Sequence, residues 1–523
     1  MSLPKSIAAP LAVLAVALPF LFAWTQAPLS NFWPLMATAG CAWVLAALAW
    51  LRCGWPGARP VGGGATPRDS LSRWLSAGLV LAGTVSAVIG LVQFFQGDVG
   101  WSPWVFASTP GQAPGNLRQR NQQATLMMMG LWALLWWRAR RPASGGALAG
   151  VLAGVLAVLA GALMAVSAAA TASRTGALEW LVIGALVLIW RRSLGGRALA
   201  WAGTSLLAYA AACAALPLLL HWWTGLETHS LFARVTGDMP LCASRRSLWS
   251  NMLHLISLRP WTGWGWGDLD YAHYATLFPG ERFCALLDNA HNLPLHLAVE
   301  LGLPAAVLLC GLALAATLHA RPWLETRPAR QLAWGVLALI GLHSLLEFPL
   351  WYGPFQLAAG LSVLLLCPWP AARSLAYHAP AVRMGGAALG VAALVWGAWL
   401  VSDYVRVSQL YRPAAERLAM YRNDTPALVA RQITFFRATA EFALVTTTPV
   451  TARNATQVYP MARHLLHYSP EPRVIEPLIA SARLLDLPGE VAFHTERYRI
   501  AYPQDFARWQ KVSAPAAADS TFK

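Results

Sequence analysis

Apolar residues run through this chain in long blocks, separated by short polar stretches. Runs of about 17–25 apolar residues are long enough to cross a bilayer core as helices. Eleven stretches read this way: 7–24, 32–51, 74–95, 122–138, 147–166, 175–190, 198–220, 303–319, 331–347, 355–369 and 384–402. The first follows Lys5, lacks a small-residue cleavage site and is followed at once by a second run, so it reads as an anchor rather than a signal peptide. Two longer polar segments remain, one near 221–302 and one over 403–523. The second repeats helical apolar spacing in 426–444, 455–467, 473–486 and 488–501, with turns at Ser469-Pro-Glu-Pro472 and Leu487-Pro-Gly489. Two helical hairpins of that size are similar to tetratricopeptide-type repeats, while Ser513 to Ser520 reads as disordered. The expected fold class is all-α and polytopic, with about 11 transmembrane helices. Residues 1–402 form the membrane domain, with a large loop at 221–302, and residues 403–523 form a helical C-terminal domain.

Composition agrees. Of 523 residues 57% are hydrophobic and only 12% charged, about half the ~25% usual for a soluble domain. The formal charge of +16 does not mark a nucleic-acid-binding face, because the basic residues fall in short groups between apolar runs. With the N-terminus inside, the inner loops hold Arg52, Arg59, Arg68 and Arg73, then Arg138, Arg140 and Arg141. Further inner groups are Arg191, Arg192 and Arg197, then Arg321, Arg327 and Arg330, then Arg373 and Arg383. The short outer loops hold only Arg118, Arg120 and Arg174, so the positive-inside rule is met and three outer arginines need another explanation. This topology puts the 221–302 loop and the tail outside. Cys41, Cys213, Cys310 and Cys367 lie in spans and Cys53 in an inner loop. Only Cys242 and Cys284 lie outside, where an oxidising compartment favours a disulfide between them.

Four outer clusters carry candidate chemistry. Gly115-Asn-Leu-Arg-Gln-Arg-Asn-Gln-Gln-Ala-Thr125 sets two arginines and several amides at the membrane surface, suited either to phosphate and sugar hydroxyls or to a solvated loop. Ser173-Arg-Thr-Gly176 places Arg174 in a very short outer loop, where it either snorkels to headgroups or faces a lipid pyrophosphate. Ala243-Ser-Arg-Arg-Ser-Leu-Trp249 and Pro260-Trp-Thr-Gly-Trp-Gly-Trp-Gly267 join Arg245 and Arg246 to a Trp/Gly run, read mainly as an interfacial aromatic belt. The fourth is Asp288-Asn-Ala-His-Asn-Leu-Pro-Leu-His-Leu-Ala-Val-Glu-Leu-Gly302. There Asn292 reads as a helix cap, Pro294 fits the first turn, and Gly302-Leu-Pro304 interrupts the pattern. A short helix over 293–301 would carry His296 and Glu300 on one face. His291 stands at its mouth, either as a capping residue or as a general base oriented by Asp288. His229, His254, His273 and His291 match no standard zinc spacing, so no metal site is expected. Nor is there a phosphate-binding glycine loop, a Gly-x-Ser-x-Gly elbow or a dinucleotide fingerprint.

The combination resembles a known family. His291, Asn292, Leu295, Glu300 and Gly302, with Arg245, Arg246, Trp249, Pro260 and Gly263-Trp-Gly265, and Ser173-Arg-Thr-Gly176, resemble the O-antigen ligase/polymerase (Wzy_C) superfamily. The Gly115–Thr125 stretch is similar to the signature of bacterial protein O-oligosaccharyltransferases of the PglL kind, and Glu347-Phe-Pro-Leu-Trp-Tyr352 points the same way. Where that signature commonly has proline, this chain has Arg120, which adds a charge and loosens the turn. The resemblance implies a GT-C-like enzyme of the bacterial inner membrane with its active site facing the periplasm. It implies transfer of an oligosaccharide from undecaprenyl pyrophosphate to serine or threonine hydroxyls of a periplasmic protein such as a pilin. The same core would serve an O-antigen ligase acting on lipid A core or an O-antigen polymerase. A lipid-linked sugar flippase is disfavoured because the polar groups gather at the outer mouth and not at mid-membrane. By the resemblance His291 is the base, and Arg174, Arg118, Arg245 and Arg246 hold pyrophosphate. Gln119, Asn121, Asp288, Asn292, Glu300 and Tyr352 position substrates, and neither cofactor nor metal is implied.

Overall fold

The computed structural model describes residues 5–53, 67–140, 147–227, 241–368 and 379–513. Arg59, Arg141, Arg373, His229 and the stretch 514–520 lie outside the described residues. Helix is the only regular structure among them, as the apolar periodicity requires. The described residues form two compact units, one of Met1–Gly237 with Ala315–Trp396 and one of Asp238–Leu314 with Gly397–Lys523.

The longer helices in chain order are α1 (Lys5–Leu21), α2 (Phe32–Cys53), α3 (Pro67–Gln96), α4 (Arg120–Ala139), α5 (Ala147–Ala170), α6 (Arg174–Ile189) and α7 (Gly196–Thr224). They continue as α8 (Arg245–Leu258), α9 (Leu293–Ala320), α10 (Pro328–Ser344), α11 (Gly353–Leu366) and α12 (Ala379–Ser408). Each of the eleven apolar stretches falls on one of these helices. Among the described residues six helices are long and apolar enough to cross a membrane: Phe32–Leu51, Arg68–Gln96, Gly150–Ala170, Gly196–Thr224, Leu293–Leu324 and Met384–Tyr411. The chain is therefore an all-helical, multi-pass membrane protein.

In the first unit α4 is the central post. It is buried from Gln122 to Trp136 and packs against α3, α5, α6 and α10. Its neighbours approach closely because small residues line the contacts. A Cβ at Gly130 would lie 2.7 Å from Met164 Sδ, and one at Gly335 would lie 2.0 Å from Trp132 Nε1. The two large buried indoles on α4 meet the requirement that a buried N–H find an acceptor. Trp132 donates to Leu332 O at 3.2 Å and Trp136 to Pro328 O, which also ties α4 to the start of α10.

The second unit joins the 238–314 segment to the tail. The tail helices are α13 (Arg437–Thr447), α14 (Ala455–Leu465), α15 (Pro472–Leu484) and α16 (Pro488–Ala501). Val474, Ile475, Leu478 and Ile479 of α15 are wholly buried among them, together with Tyr274 from the loop. Polar contacts complete the seam: His467 Nδ1 lies 2.8 Å from Asp268 Oδ1, Tyr274 OH lies 3.1 Å from His494 Nδ1, and Arg497 donates to Ala275 O at 2.8 Å. The expected helix over 426–444 is broken into Pro426–Arg431 and α13. The buried Asp403 carboxylate accepts from the backbone N–H of Thr434 at 3.1 Å and of Phe435 at 2.7 Å, so these amides leave the helical ladder. A further helix over Pro503–Ser513, which the spacing did not suggest, ends the described chain.

Candidate active site

In the first unit three motifs that are far apart in sequence meet by hydrogen bonds. Gln119 is the extended N-cap residue of α4, and its Nε2 lies 3.5 Å from Glu347 Oε2. Asn121 Nδ2 donates to Glu347 Oε1 at 2.9 Å, so the one carboxylate takes both signature amides. Asn121 Oδ1 accepts from Ser173 Oγ at 2.7 Å. Ser173 also caps α6, accepting from Gly176 N at 3.0 Å, and Arg174 follows as the first, exposed residue of that helix. Gly176 is needed for close approach, since a Cβ there would fall 2.7 Å from Ala124 Cβ. Arg120 stands at the first position of α4, where a proline would also have fitted. The Glu347 carboxylate, rather than ring stiffness, holds this turn.

The other amides of the signature serve the fold. Asn116 donates to Leu21 O at 2.6 Å and Trp104 O at 2.9 Å, while Gln123 and Ser86 bond each other twice, at 2.7 and 2.8 Å. Gly115 has φ +62°, and a Cβ there would strike Gln123 Oε1 at 2.1 Å. Arg118 gives guanidinium protons to Ser30 O at 3.1 Å and to Asn31 Oδ1, and with Tyr352, Phe22 and Pro354 it lines a cleft. Gln119 Oε1 is buried with no hydrogen-bond partner among the described residues, an acceptor left open beside that turn.

One helical turn deeper lies a second polar layer that the apolar pattern concealed. Thr125 Oγ1 is 2.6 Å from Glu179 Oε1, 2.8 Å from His343 Nδ1 and 3.1 Å from Asn121 O. Thr125, Glu179 and His343 are all wholly inaccessible to solvent. The available signal was their spacing, since Thr125 and His343 each stand four residues from a flagged position, Asn121 and Glu347.

The second unit holds the histidine motif. Asn292 Oδ1 accepts from Leu295 N at 3.0 Å and caps α9, and α9 is broken at Gly302, with φ +83° and ψ 164°. A helix over 293–301 followed by an interruption is thus present, with His296 Nε2 3.4 Å from Glu300 Oε2 on its shared face. The Trp/Gly run docks on this break by its backbone. Trp264 N donates to Val299 O at 2.9 Å, Gly265 N to Glu300 O at 3.0 Å, and Leu303 N to Pro260 O at 2.8 Å. A Cβ on Gly263 would sit 2.3 Å from Glu300 O, so the glycines permit contact between two backbones. Trp261 and Trp266 stay exposed, as a belt reading requires, whereas Trp264 Nε1 bonds Leu255 O at 3.0 Å.

His291 is half-buried with φ +49°. Its backbone N–H donates to Asn289 Oδ1 at 2.9 Å, and Trp249 Nε1 donates to Ala290 O at 3.3 Å. Trp249 thereby ties α8, which begins at Arg245 and Arg246, to the histidine turn. Asp288 is exposed on that turn, while the buried Asn289 makes the bond to His291. Cys242 and Cys284 are joined in a disulfide with Cα atoms 5.2 Å apart, and Cys284 N donates to Cys242 O at 3.2 Å. Nearby, His273 bridges Arg282 at 3.1 Å and Asn251 Oδ1 at 3.2 Å. Burial and the Arg282 charge push His273 well below its usual range, so the neutral ring accepts at Nδ1 and donates from Nε2. Burial also lifts Asp270 to about 7.

The helix ends share one electrostatic oddity. Arg120 and Arg174 open α4 and α6, Arg245 and Arg246 open α8, and the first turns of these helices contain no acidic residue. A helix N-terminus carries about half a positive charge, so a cation there is unfavourable by roughly 0.3–1 kcal/mol. Such ends are ready-made sites for phosphate-like anions.

Three family matches cover successive stretches of the chain. Residues 113–137 match the protein glycosylation ligase family, 159–310 the O-antigen ligase family, and 331–517 the C-terminal part of a virulence factor membrane-bound polymerase family. A general O-oligosaccharyltransferase of Acinetobacter baylyi is 30% identical over 125 residues, which is 23% of this chain and 21% of that protein. The chain therefore spans about a fifth of the length of that curated relative. This multi-pass helical protein is thus similar to the O-antigen ligase family over residues 159–310. Over residues 113–137 the likeness is to the protein glycosylation ligases, the PglL type.

Proposed function

We propose that this protein transfers an oligosaccharide en bloc from undecaprenyl pyrophosphate to serine or threonine hydroxyls of periplasmic proteins, at the outer face of the inner membrane. The observation that carries the reading is the set of arginines at the starts of α4, α6 and α8, helices whose first turns contain no acidic residue. That arrangement is unfavourable alone and favourable when a dianionic group binds. The signature match over residues 113–137 and the Acinetobacter relative support a protein acceptor.

In this reading the acceptor hydroxyl oxygen forms the new bond to the anomeric carbon. The bond from that carbon to the phosphate oxygen breaks, and the pyrophosphate departs with its electron pair. His291 takes the hydroxyl proton, and Arg174, with Arg118, Arg245 and Arg246, neutralises the charge that builds on the leaving group. Gln119, Asn121 and Tyr352 orient the sugar, Asn292 and Glu300 hold the helix behind His291, and Asp288 orients its ring. Because the leaving group is already good, positioning and charge stabilisation carry most of the catalysis. The O-antigen ligase match over 159–310 favours a second acceptor, lipid A core, with the same chemistry.

Co-expression with a lipid-linked glycan pathway, a pilin and lipid A core, read by mass spectrometry, separates the two. Glycan on the pilin supports the first reading, and glycan on lipid A core alone replaces it with the second. His291→Ala should insert normally and abolish transfer; retained transfer removes the base assignment. Arg174→Lys should cut turnover severely if two-pronged phosphate contact matters, whereas wild-type turnover would leave Arg174 a snorkelling residue.

A further inference from the structure

We infer that Thr125, Glu179 and His343 form a buried positioning triad that sets the angle at which Arg174 and Asn121 are presented. The inference rests on reading Arg174 as a pyrophosphate contact. Glu179 and His343 are 0% exposed within the bundle, where an ionisable group is costly and an aliphatic or aromatic residue would pack more cheaply. They come from different helices, α6 and α10, and meet on one hydroxyl from a third, α4. Glu179 Oε2 has no hydrogen-bond partner among the described residues, so this carboxyl is held in the bundle by the Thr125 contact.

The geometry says what such a node does. On α4 Asn121 and Thr125 are four residues apart, and so are His343 and Glu347 at the end of α10, where Glu347 N donates to His343 O at 2.8 Å. Residues four apart share a helix face one turn apart. The triad is therefore an inner layer directly beneath the outer layer of Asn121, Ser173 and Glu347. On α6 the five-residue step from Arg174 to Glu179 spans about 7.5 Å of helix axis. Apolar contacts tolerate small slides and rotations of one helix on another, but bonds of 2.6 and 2.8 Å to a single oxygen do not. Two layers fix both the rotation and the height of α6 against α4. One layer would leave α6 free to pivot about Ser173, swinging the guanidinium of Arg174. Between the layers Gly176 lies against Ala124, so the helices already touch and cannot close further.

The test uses the purified full chain in lipid nanodiscs, with an undecaprenyl-pyrophosphate oligosaccharide as donor and a pilin as acceptor. Thr125→Val keeps the shape and removes the hydroxyl; Thr125→Ser keeps the hydroxyl. The valine variant should lose about 10- to 100-fold in kcat, the scale of a misplacement near 1 Å. Its KM for the pilin should stay within about two-fold of wild type, since the triad faces no acceptor group. The serine variant should recover most of the turnover. In an Arg174→Lys background, Thr125→Val should cost less than about two-fold more, because the residue it positions is already impaired. Wild-type kcat in Thr125→Val, failure of serine to rescue, or full multiplicative loss in the Arg174→Lys background would each overturn the inference. Wild-type turnover in Arg174→Lys itself would instead overturn the pyrophosphate reading on which it rests. Should the valine variant fail to accumulate, His343→Phe, rescued by His343→Gln, carries the same comparison.

Discussion

Gly302→Ala is a demanding test of the way the histidine helix is held. Gly302 has φ +83° and ψ 164°, a region that residues with a Cβ adopt only at a cost of about 1–3 kcal/mol. The new Cβ would lie 2.4 Å from Trp261 O and 2.6 Å from Trp261 C, both backbone atoms that no rotamer change can move. Relief to an ordinary contact needs a shift of about 1 Å between the Trp/Gly loop and α9. Such a shift lengthens the bonds from Trp264 N to Val299 O, Gly265 N to Glu300 O and Leu303 N to Pro260 O, each worth about 1 kcal/mol. Strain and lost bonds together amount to about 4–6 kcal/mol, a large part of the stability of an average domain. Hydrogen exchange on the purified protein should therefore show amides 263–265 and 303 opening at least 100-fold more readily, with a lower thermal midpoint. Transfer should fall with it, since α9 carries His291 at its mouth. Unchanged exchange at those amides would mean that the loop and helix are not interlocked as described.

Two further predictions concern the second unit. Asp270 is raised from 3.8 to about 7 by burial, so the folded carboxyl keeps its proton while the unfolded one ionises. The folded state thus loses stability as pH rises from about 4 to about 7, by up to about 4 kcal/mol, and the loss stays constant above that. Asp270→Asn should raise the thermal midpoint at pH 8 and leave it unchanged at pH 4; an equal effect at both pH values would refute the assignment. Of the seven cysteines, only five should alkylate before reduction, and all seven after it. Replacing both Cys242 and Cys284 with serine should cost roughly 4 kcal/mol by the loop-entropy relation for a separation of 42 residues. Seven labels without reductant would rule the bridge out.

How much of this was legible depended on whether the cause was local. The cap at Asn292, the break at Gly302 and the apolar helices follow from residues within a turn or two, and all were readable. The break near 432–436 was not, because the carboxylate that causes it, Asp403, lies about thirty residues upstream. The packing of the 238–314 segment with the tail was hidden for the same reason, since its contacts join Asp268 to His467 and Tyr274 to His494. The triad was missed differently. Thr125, Glu179 and His343 are single polar residues inside apolar runs, and a hydropathy reading absorbs them into the run. A search for polar residues four positions below each flagged outer residue would have found Thr125 and His343.

The three motifs also share a backbone construction that argues for a common task. Arg118, Ala172 and His291 have φ of +64°, +47° and +49°, and each directly precedes the residue before a helix start. At α4 and α6 the left-handed residue is followed by an extended N-cap, Gln119 and Ser173, which turns the chain sharply into the helix. The residues at these turns include Arg118, Arg120 and Arg174 at α4 and α6, and His291 at α9. Turning a Cβ-bearing residue left-handed costs about 1–2 kcal/mol, and placing arginine against the helix dipole adds to that cost. Neither serves a helix that only spans a membrane. In the proposed function both costs are offset, because helix N–H groups and guanidinium donors each favour an anion bound at the helix start.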